Sequence, residues 1–98
     1  SIAYACSKGA LNSLSLSLAR TLAPKITVNS ICPGYVETGW HGSSKEVYKK
    51  SKINEKFVPL KKSARPEDIA SYIMWFVTSK NLITGETIYV DGGYHLKA

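Results

Sequence analysis

Ile26-Thr27-Val28-Asn29-Ser30-Ile31-Cys32-Pro33-Gly34 is the stretch that decides the fold. It is rich in β-branched residues, its apolar residues alternate early on, and Pro33-Gly34 stops it. We therefore predict a strand over residues 26–32. Thr87-Ile88-Tyr89-Val90 is a second strand-like stretch, and it ends at Asp91-Gly92-Gly93.

A helix is predicted between these two strands. Arg65-Pro66-Glu67-Asp68 opens it, because proline is favourable at the first helical position and acids are favourable in the first turn. Strand, helix and strand form a βαβ unit, which predicts an α/β fold with a parallel sheet and a right-handed crossover. Two parallel strands make too small a sheet to stand alone. We therefore expect the chain to be an incomplete part of one domain.

The segments flanking the first strand are predicted to differ in character. Leucines recur at helical spacing over residues 5–23, which predicts a long helix ended by Pro24. Leu16 lies off the main leucine stripe, so this helix is expected to bury two faces. Residues 35–62 carry few core signals, although Ser43-Ser44-Lys45-Glu46 resembles a capping box and predicts a short polar helix. We interpret residues 35–62 as a lid or substrate loop.

The head of the long helix holds a tyrosine and a lysine four residues apart, Tyr4 and Lys8. Residues at this spacing share one helix face, so the two side chains can act on one site. A free phenol has a pKa of about 10, and a neighbouring ammonium favours the phenolate. The pair is therefore a candidate for proton transfer, although the spacing alone is weak support.

Composition narrows the classes of protein to which the chain could belong. The formal net charge is +6, and eight of the thirteen basic residues lie between Lys45 and Arg65. Such a cluster could attract nucleic acid, but a solvated face is the simpler interpretation, because lysine dominates over arginine. No apolar run reaches the roughly 18 residues of a membrane span. Cys6 and Cys32 lack metal-site spacing and are expected to be reduced thiols in a cytoplasmic protein.

Five motifs follow one another in order along the chain. They are Tyr4-x-x-x-Lys8, then Val28-Asn29-x-Ile31-x-Pro33-Gly34 with Thr38 four residues beyond, Arg65-Pro66-Glu67-Asp68-Ile69-Ala70, Thr84-Gly85, and Val90-Asp91-Gly92-Gly93. In this order and spacing they resemble the C-terminal part of the short-chain dehydrogenase/reductase family. The resemblance covers almost the whole chain and implies part of a doubly wound Rossmann-type parallel sheet.

The resemblance also implies a reaction and a site. The reaction is hydride transfer between NAD or NADP and a small alcohol or carbonyl substrate, with no metal. Tyr4 would be the acid/base, while Lys8 would favour its phenolate and hydrogen-bond the nicotinamide ribose; both would contact the cofactor. The Pro33-Gly34 turn would flank the nicotinamide. The backbone of Val36 and the hydroxyl of Thr38 would hold the carboxamide.

The chain departs from the family pattern at its amino end. The family's Gly-rich phosphate loop, its ribose selector and its catalytic serine lie upstream of the tyrosine motif, and only three residues precede Tyr4. The chain alone is therefore expected to hold half a site and to be inactive, and NAD and NADP stay open. A non-catalytic binding or assembly protein is the alternative, against which the intact Tyr-Lys pair argues. Family members commonly pair the helix of residues 5–23, which implies a homodimer or homotetramer.

Overall fold

The computed structural model describes residues 1–96 of the chain. Its elements are helix α1 (Ile2–Leu22), strand β1 (Ser30–Pro33), helix α2 (Ser44–Phe57), helix α3 (Pro66–Thr78) and strand β2 (Thr87–Val90), with 3₁₀ turns at Gly39–His41 and Tyr94–Leu96. The predicted order of helix, strand, helix and strand is confirmed. Thr87–Val90 is the strand that was predicted there.

The two strands pair with each other in parallel. The Ser30 N–H donates to the Glu86 carbonyl at 2.9 Å, and the Gly34 N–H donates to the Val90 carbonyl at 3.0 Å. Because both partners advance along the chain together, the strands run in the same direction. The prediction of an α/β fold with a parallel sheet is therefore confirmed.

The chain divides into two compact units. Of the described residues, the first contains 1–30 and 81–88, and the second contains 31–80 and 89–96. Helix α1 lies in the first unit, and helices α2 and α3 lie in the second.

Strand β1 begins at Ser30, so the predicted start at Ile26 is wrong. Before Ser30 the backbone pairs with a loop instead of a strand. The Val28 N–H donates to Thr84 Oγ1 at 3.1 Å, and the Gly85 N–H donates to the Val28 carbonyl at 2.7 Å. The Val28 N–H therefore bonds to a side-chain hydroxyl and not to the carbonyl of a neighbouring strand.

The Asn29 side chain completes this connection. Its Nδ2 donates to the Ile83 carbonyl at 3.0 Å, and its Oδ1 accepts from the Glu86 N–H at 3.1 Å. One amide group thus satisfies a donor and an acceptor of the loop that leads into β2. Asn29 has a structural role here.

Both helices of the second unit begin as their sequences predict. At α2 the Ser43 N–H donates to Glu46 Oε2 at 2.7 Å, and the Glu46 N–H donates to Ser43 Oγ at 3.4 Å. This is the predicted capping box, and the helix it opens is 14 residues long. At α3, Pro66 follows the N-cap residue Arg65, whose N–H donates to Asp68 Oδ2 at 2.7 Å.

Two further properties belong to the described residues as a whole. None of the helices in residues 1–96 is long and apolar enough to cross a bilayer. Cys6 and Cys32 are free cysteines, and Cys6 is exposed.

Few side chains of the described residues are buried. The buried hydrophobic residues are Ala19 and Val58, whereas Leu14 and Leu16 of α1 are 52% and 57% exposed. Helix α3 buries none of its residues, although it is strongly apolar. Full burial of a leucine side chain contributes about 1.5–3 kcal/mol, and these half-exposed leucines gain only part of it.

We therefore expect the 98-residue chain, expressed alone, not to fold cooperatively. The gain from burying two hydrophobic side chains is small against the conformational entropy lost on folding. Circular dichroism on heating should show a broad, non-cooperative change, together with aggregation. The whole protein that carries this chain is the control. A single sharp transition from a monomer of these 98 residues would contradict the expectation.

Candidate active site

Tyr4 and Lys8 lie on the first two turns of α1. Ser1 is the N-cap, and its Oγ accepts from the Tyr4 N–H at 3.1 Å, so the helix is fixed at the turn that carries the tyrosine. Lys8 Nζ lies 5.6 Å from the centroid of the Tyr4 ring, within cation–π range. Tyr4 is 61% exposed and Lys8 is exposed. The two side chains share one face and are open to a ligand.

Ser7, between the two, is committed to the helix backbone. Its Oγ donates to the Tyr4 carbonyl at 2.7 Å. This bond is local, and such bonds are common for serine in helices. Ser7 therefore gives no support to a catalytic hydroxyl beside Tyr4.

Val36 lies in an extended segment. The hydrogen bonds that hold this segment do not use the N–H and C=O of Val36. The Ala64 N–H donates to the Tyr35 carbonyl at 3.3 Å, and the Glu37 N–H donates to the Ala64 carbonyl at 2.9 Å. Val36 thus forms an isolated parallel bridge with Ala64. In this bridge the N–H and C=O of Ala64 make both bonds, and the N–H and C=O of Val36 point to the opposite edge. In the described part of the chain neither group of Val36 has a hydrogen-bond partner.

Thr38 follows as the N-cap of the Gly39–His41 turn. Its backbone is extended, with φ −135° and ψ 162°, and its side chain makes no capping hydrogen bond. The backbone carbonyl of Thr38 accepts from the His41 N–H at 3.1 Å, so the turn is closed by backbone alone. The hydroxyl of Thr38 is therefore not required for the turn.

Gly34 stands where the ends of the two strands approach each other. A Cβ at this position would lie 2.8 Å from both the Cα and the Cβ of Asp91, which is closer than real Cβ atoms approach. Gly34 follows Pro33, the last residue of β1. Close packing alone is therefore a sufficient reason for glycine here, apart from any role beside a cofactor.

Asp91 organises the turn after β2. It accepts from the Gly93 N–H at 2.9 Å, from the His95 N–H at 3.0 Å, and pairs with His95 Nδ1 at 2.9 Å. Burial alone would raise the pKa of this carboxyl, but the hydrogen bonds from His95 and Gly93 outweigh burial and leave the pKa below its usual range. His95 also stacks on Tyr89, with ring centroids 4.6 Å apart. Asp91 is therefore structural.

His41 contacts an aromatic ring. Its ring centroid lies 4.3 Å from that of Tyr35, whose hydroxyl donates to the Val47 carbonyl at 2.9 Å. Burial, with the Glu37 charge as a second cause, raises the pKa of Tyr35. Both rings thus help to attach the Gly39–His41 turn to α2.

The predicted residues fall into two groups. Tyr4 and Lys8 belong to the first unit, and Pro33, Gly34, Val36 and Thr38 belong to the second. Within the second unit, Val36 and Thr38 share one extended segment that directly follows the end of β1.

Known proteins match the chain along almost its full length. The family model described as "Enoyl-(Acyl carrier protein) reductase" matches residues 1–95. The chain belongs to the short-chain dehydrogenase/reductase family. It is similar to the short-chain dehydrogenase/reductase homolog YusR of Bacillus subtilis, with 38% identity over 96 residues that cover 98% of this chain and 71% of that protein.

Solved structures of short-chain dehydrogenases share the fold. One is the short-chain dehydrogenase/reductase described as a glucose/ribitol dehydrogenase from Brucella melitensis, at 37% identity and TM-score 0.80, with 93% of this chain and 37% of that one covered. Another is a small-chain dehydrogenase in complex with NADPH, at 30% identity and TM-score 0.77, with 91% and 41% covered. The chain spans 37% or 38% of the length of other curated relatives.

Sequence patterns of the short-chain dehydrogenase/reductase family did not predict every residue at this site. Ser51 of α2 is only 2% exposed, and its Oγ donates to Glu37 Oε1 at 2.6 Å. Ser51 lies in a lysine-rich helix whose composition is typical of an exposed polar helix, so the sequence does not predict that Ser51 is buried. Glu37 could have been noticed, because it lies between the two predicted carboxamide contacts, Val36 and Thr38.

Proposed function

We propose that the whole protein that carries this chain is an oxidoreductase that transfers a hydride between a nicotinamide cofactor and an alcohol or carbonyl compound. The observation that carries the proposal is the exposed Tyr4–Lys8 pair on one face at the start of α1, with Nζ 5.6 Å from the ring. It occurs in a chain of a family whose members bear the names dehydrogenase and reductase.

Tyr4 is the proton carrier in this proposal. Its phenol donates a proton to the carbonyl oxygen during reduction and takes one from the alcohol during oxidation. Lys8 favours the charged phenolate by its own positive charge, and this attraction strengthens when the remainder of the protein excludes water from the pair. The ammonium has three donors, so it can also hydrogen-bond the ribose hydroxyls of the cofactor.

The second unit supports cofactor binding at Val36. A carboxamide has an NH₂ donor and a carbonyl acceptor side by side, and Val36 offers a free C=O and a free N–H on one edge. The Thr38 hydroxyl, two residues on, is free to add a third bond. The residues present therefore fit the carboxamide of a nicotinamide, flanked by the Pro33-Gly34 turn.

A bound nicotinamide cofactor would supply the hydride. The residues of the chain would orient the cofactor and move the proton. A small-chain dehydrogenase similar to this chain was solved with NADPH. We assign NAD or NADP to this chain without choosing between them. Residues 35–62 are proposed to cover the substrate, as a lid over the site.

Three ammonium groups of the lysine cluster have partners within the chain. Lys50 Nζ donates to the His41 carbonyl at 2.7 Å, and Lys61 Nζ donates to the Lys56 carbonyl at 2.8 Å. Lys52 pairs with Glu55 at 3.0 Å, and this carboxylate offsets one of the positive charges. We propose a small molecule, not a nucleic acid, as the substrate.

Turnover of reduced nicotinamide tests the proposed function directly. The whole protein should consume NADH or NADPH when given a panel of aldehydes and ketones, and it should reduce the oxidised cofactor when given the matching alcohols. The absorbance of the reduced cofactor reports both directions. A protein that binds both cofactors but turns over no member of the panel would favour the non-catalytic alternative.

The exposed leucines of α1 predict self-association. Leu11, Leu14 and Leu16 are 49–57% exposed, and we propose that a second copy of the protein covers Leu16 in a homodimer or homotetramer. In the whole protein, Leu16→Glu should dissociate this assembly, because a carboxylate would be buried without a partner. Sedimentation velocity measures the change.

Ser17→Glu is the matched control for this prediction. It adds the same charge to the same helix, but about 100° around the axis from Leu16. We expect the Ser17→Glu protein to keep the parent's sedimentation coefficient. If Leu16→Glu also keeps it, α1 is not the contact between subunits.

A further inference from the structure

Ser51 and Glu37 form a buried bond beside the proposed carboxamide site. Ser51 is 2% exposed, and its Oγ donates to Glu37 Oε1 at 2.6 Å. A hydroxyl bonded to a carboxylate is a charge-assisted hydrogen bond, and water cannot replace it at a buried serine. Glu37 is the residue between Val36 and Thr38, so this bond acts on the segment that carries both proposed contacts.

A second hydrogen bond joins the same extended segment to α2, one helical turn away from the first. The Tyr35 hydroxyl donates to the Val47 carbonyl at 2.9 Å. Two residues of extended chain advance about 6.6 Å, and four residues of helix advance about 6.0 Å. The side chains at positions 35 and 37 therefore point to one side and meet α2 one turn apart.

The chain next to Ala64, which pairs with Val36, is also hydrogen-bonded to α2. The Ser63 Oγ donates to the Ser51 carbonyl at 3.2 Å, and Asn54 Nδ2 donates to Ser63 Oγ at 3.1 Å. Ser63 precedes Ala64, the bridge partner of Val36. Helix α2 is thus hydrogen-bonded to both segments that meet in the Val36–Ala64 bridge.

We propose that Ser51 and Glu37 are positioning residues for cofactor binding. Their bond holds residues 35–38 extended against α2, so that the free edge of Val36 and the hydroxyl of Thr38 keep the geometry that a carboxamide needs. The same bond couples the proposed substrate lid to the cofactor, because α2 is part of the lid. This inference rests on the proposed function.

Titration of the whole protein with NADH and with NADPH tests the inference. Ser51→Ala should weaken the binding of the preferred cofactor about ten-fold, as loss of one charge-assisted bond allows. The KM for the cofactor should rise in parallel, while kcat at saturating cofactor changes little. Glu37→Ala should match Ser51→Ala, and the double variant should be no worse than either single one, because both remove the same bond.

Two further variants separate positioning from stability. Glu37→Gln keeps an oxygen acceptor for Ser51, so it should restore most of the affinity that Glu37→Ala loses, and it carries the test if Ser51→Ala does not fold. Ser71→Ala is the matched control: it removes a helix hydroxyl that donates to the Asp68 carbonyl at 2.6 Å on α3. Cofactor binding should be unchanged in Ser71→Ala.

The possible results distinguish this inference from the proposed function. If Ser51→Ala and Glu37→Ala unfold at lower temperature but bind the cofactor as the parent does, their bond is only structural and the inference is wrong. Additive losses in the double variant would also overturn it. If the parent itself binds neither NADH nor NADPH, the proposed function fails, and this inference fails with it.

Discussion

Tyr4→Phe is expected to lower turnover by at least about 100-fold in the whole protein that carries this chain, while cofactor affinity stays close to that of the parent. General acid/base groups contribute about 10²–10⁴-fold. The substitution removes the phenolic hydroxyl but keeps the ring, and Lys8 remains 5.6 Å from the position of the ring centroid. The proposed carboxamide contacts at Val36 and Thr38 are untouched, so the cofactor should still bind.

Turnover must be measured together with cofactor binding for this variant. Steady-state kcat over a range of pH gives the first quantity, and titration with NADH and NADPH gives the second. Tyr72→Phe is the matched control, since Tyr72 is a half-exposed tyrosine on α3 that is assigned no role. Turnover of Tyr4→Phe within a few-fold of the parent would show that Tyr4 is not the proton carrier, and the non-catalytic alternative would then be preferred.

Spacing alone does not identify the tyrosine that we propose as the proton carrier. Tyr48 and Lys52 on α2 repeat the four-residue spacing, and Lys52 Nζ lies 5.5 Å from the Tyr48 ring centroid. That distance nearly equals the one between Tyr4 and Lys8, yet Lys52 also pairs with Glu55, which raises the pKa of Lys52. Helix geometry makes such pairs common. What singles out Tyr4 is its place in an ordered series of motifs.

The elements that depend on local sequence were predictable. Strand Thr87–Val90, the start of α3 at Pro66 and the capping box at Ser43 each follow from residues within a few positions of one another. Their signals are turn residues, proline and reciprocal side-chain bonds, all of which act over one turn of chain.

Features that depend on distant residues were not predictable. The strand that was predicted from Ile26 begins at Ser30, because Val28 pairs with Thr84, 56 residues away. Similarly, the buried Ser51 hydroxyl bonds to Glu37, 14 residues earlier in the loop that precedes its helix. Composition and periodicity carry no information about such partners. The proposed positioning role for Ser51 could therefore arise only from the folded chain.

Lys8→Ala is expected to impair both turnover and cofactor binding, which separates it from Tyr4→Phe. Lys8 is assigned two tasks: favouring the phenolate of Tyr4 and hydrogen-bonding the ribose of the cofactor. We expect kcat for alcohol oxidation near neutral pH to fall about 100-fold or more, as for loss of an acid/base group. Cofactor affinity should fall as well, because ammonium hydrogen bonds are lost.

Lys80→Ala is the matched control for Lys8→Ala. It removes a charge from an exposed position after α3, and it should leave both kcat and cofactor affinity unchanged.

Lys8→Arg tests whether the charge or the shape of the group matters. Arginine keeps the positive charge, but its planar guanidinium does not match the compact ammonium that must reach both the phenol and the ribose. We expect turnover and cofactor binding each to recover only in part. If Lys8→Ala leaves both turnover and cofactor affinity at the parent's values, Lys8 has neither task, and the lysine four residues from Tyr4 is an ordinary exposed side chain of α1.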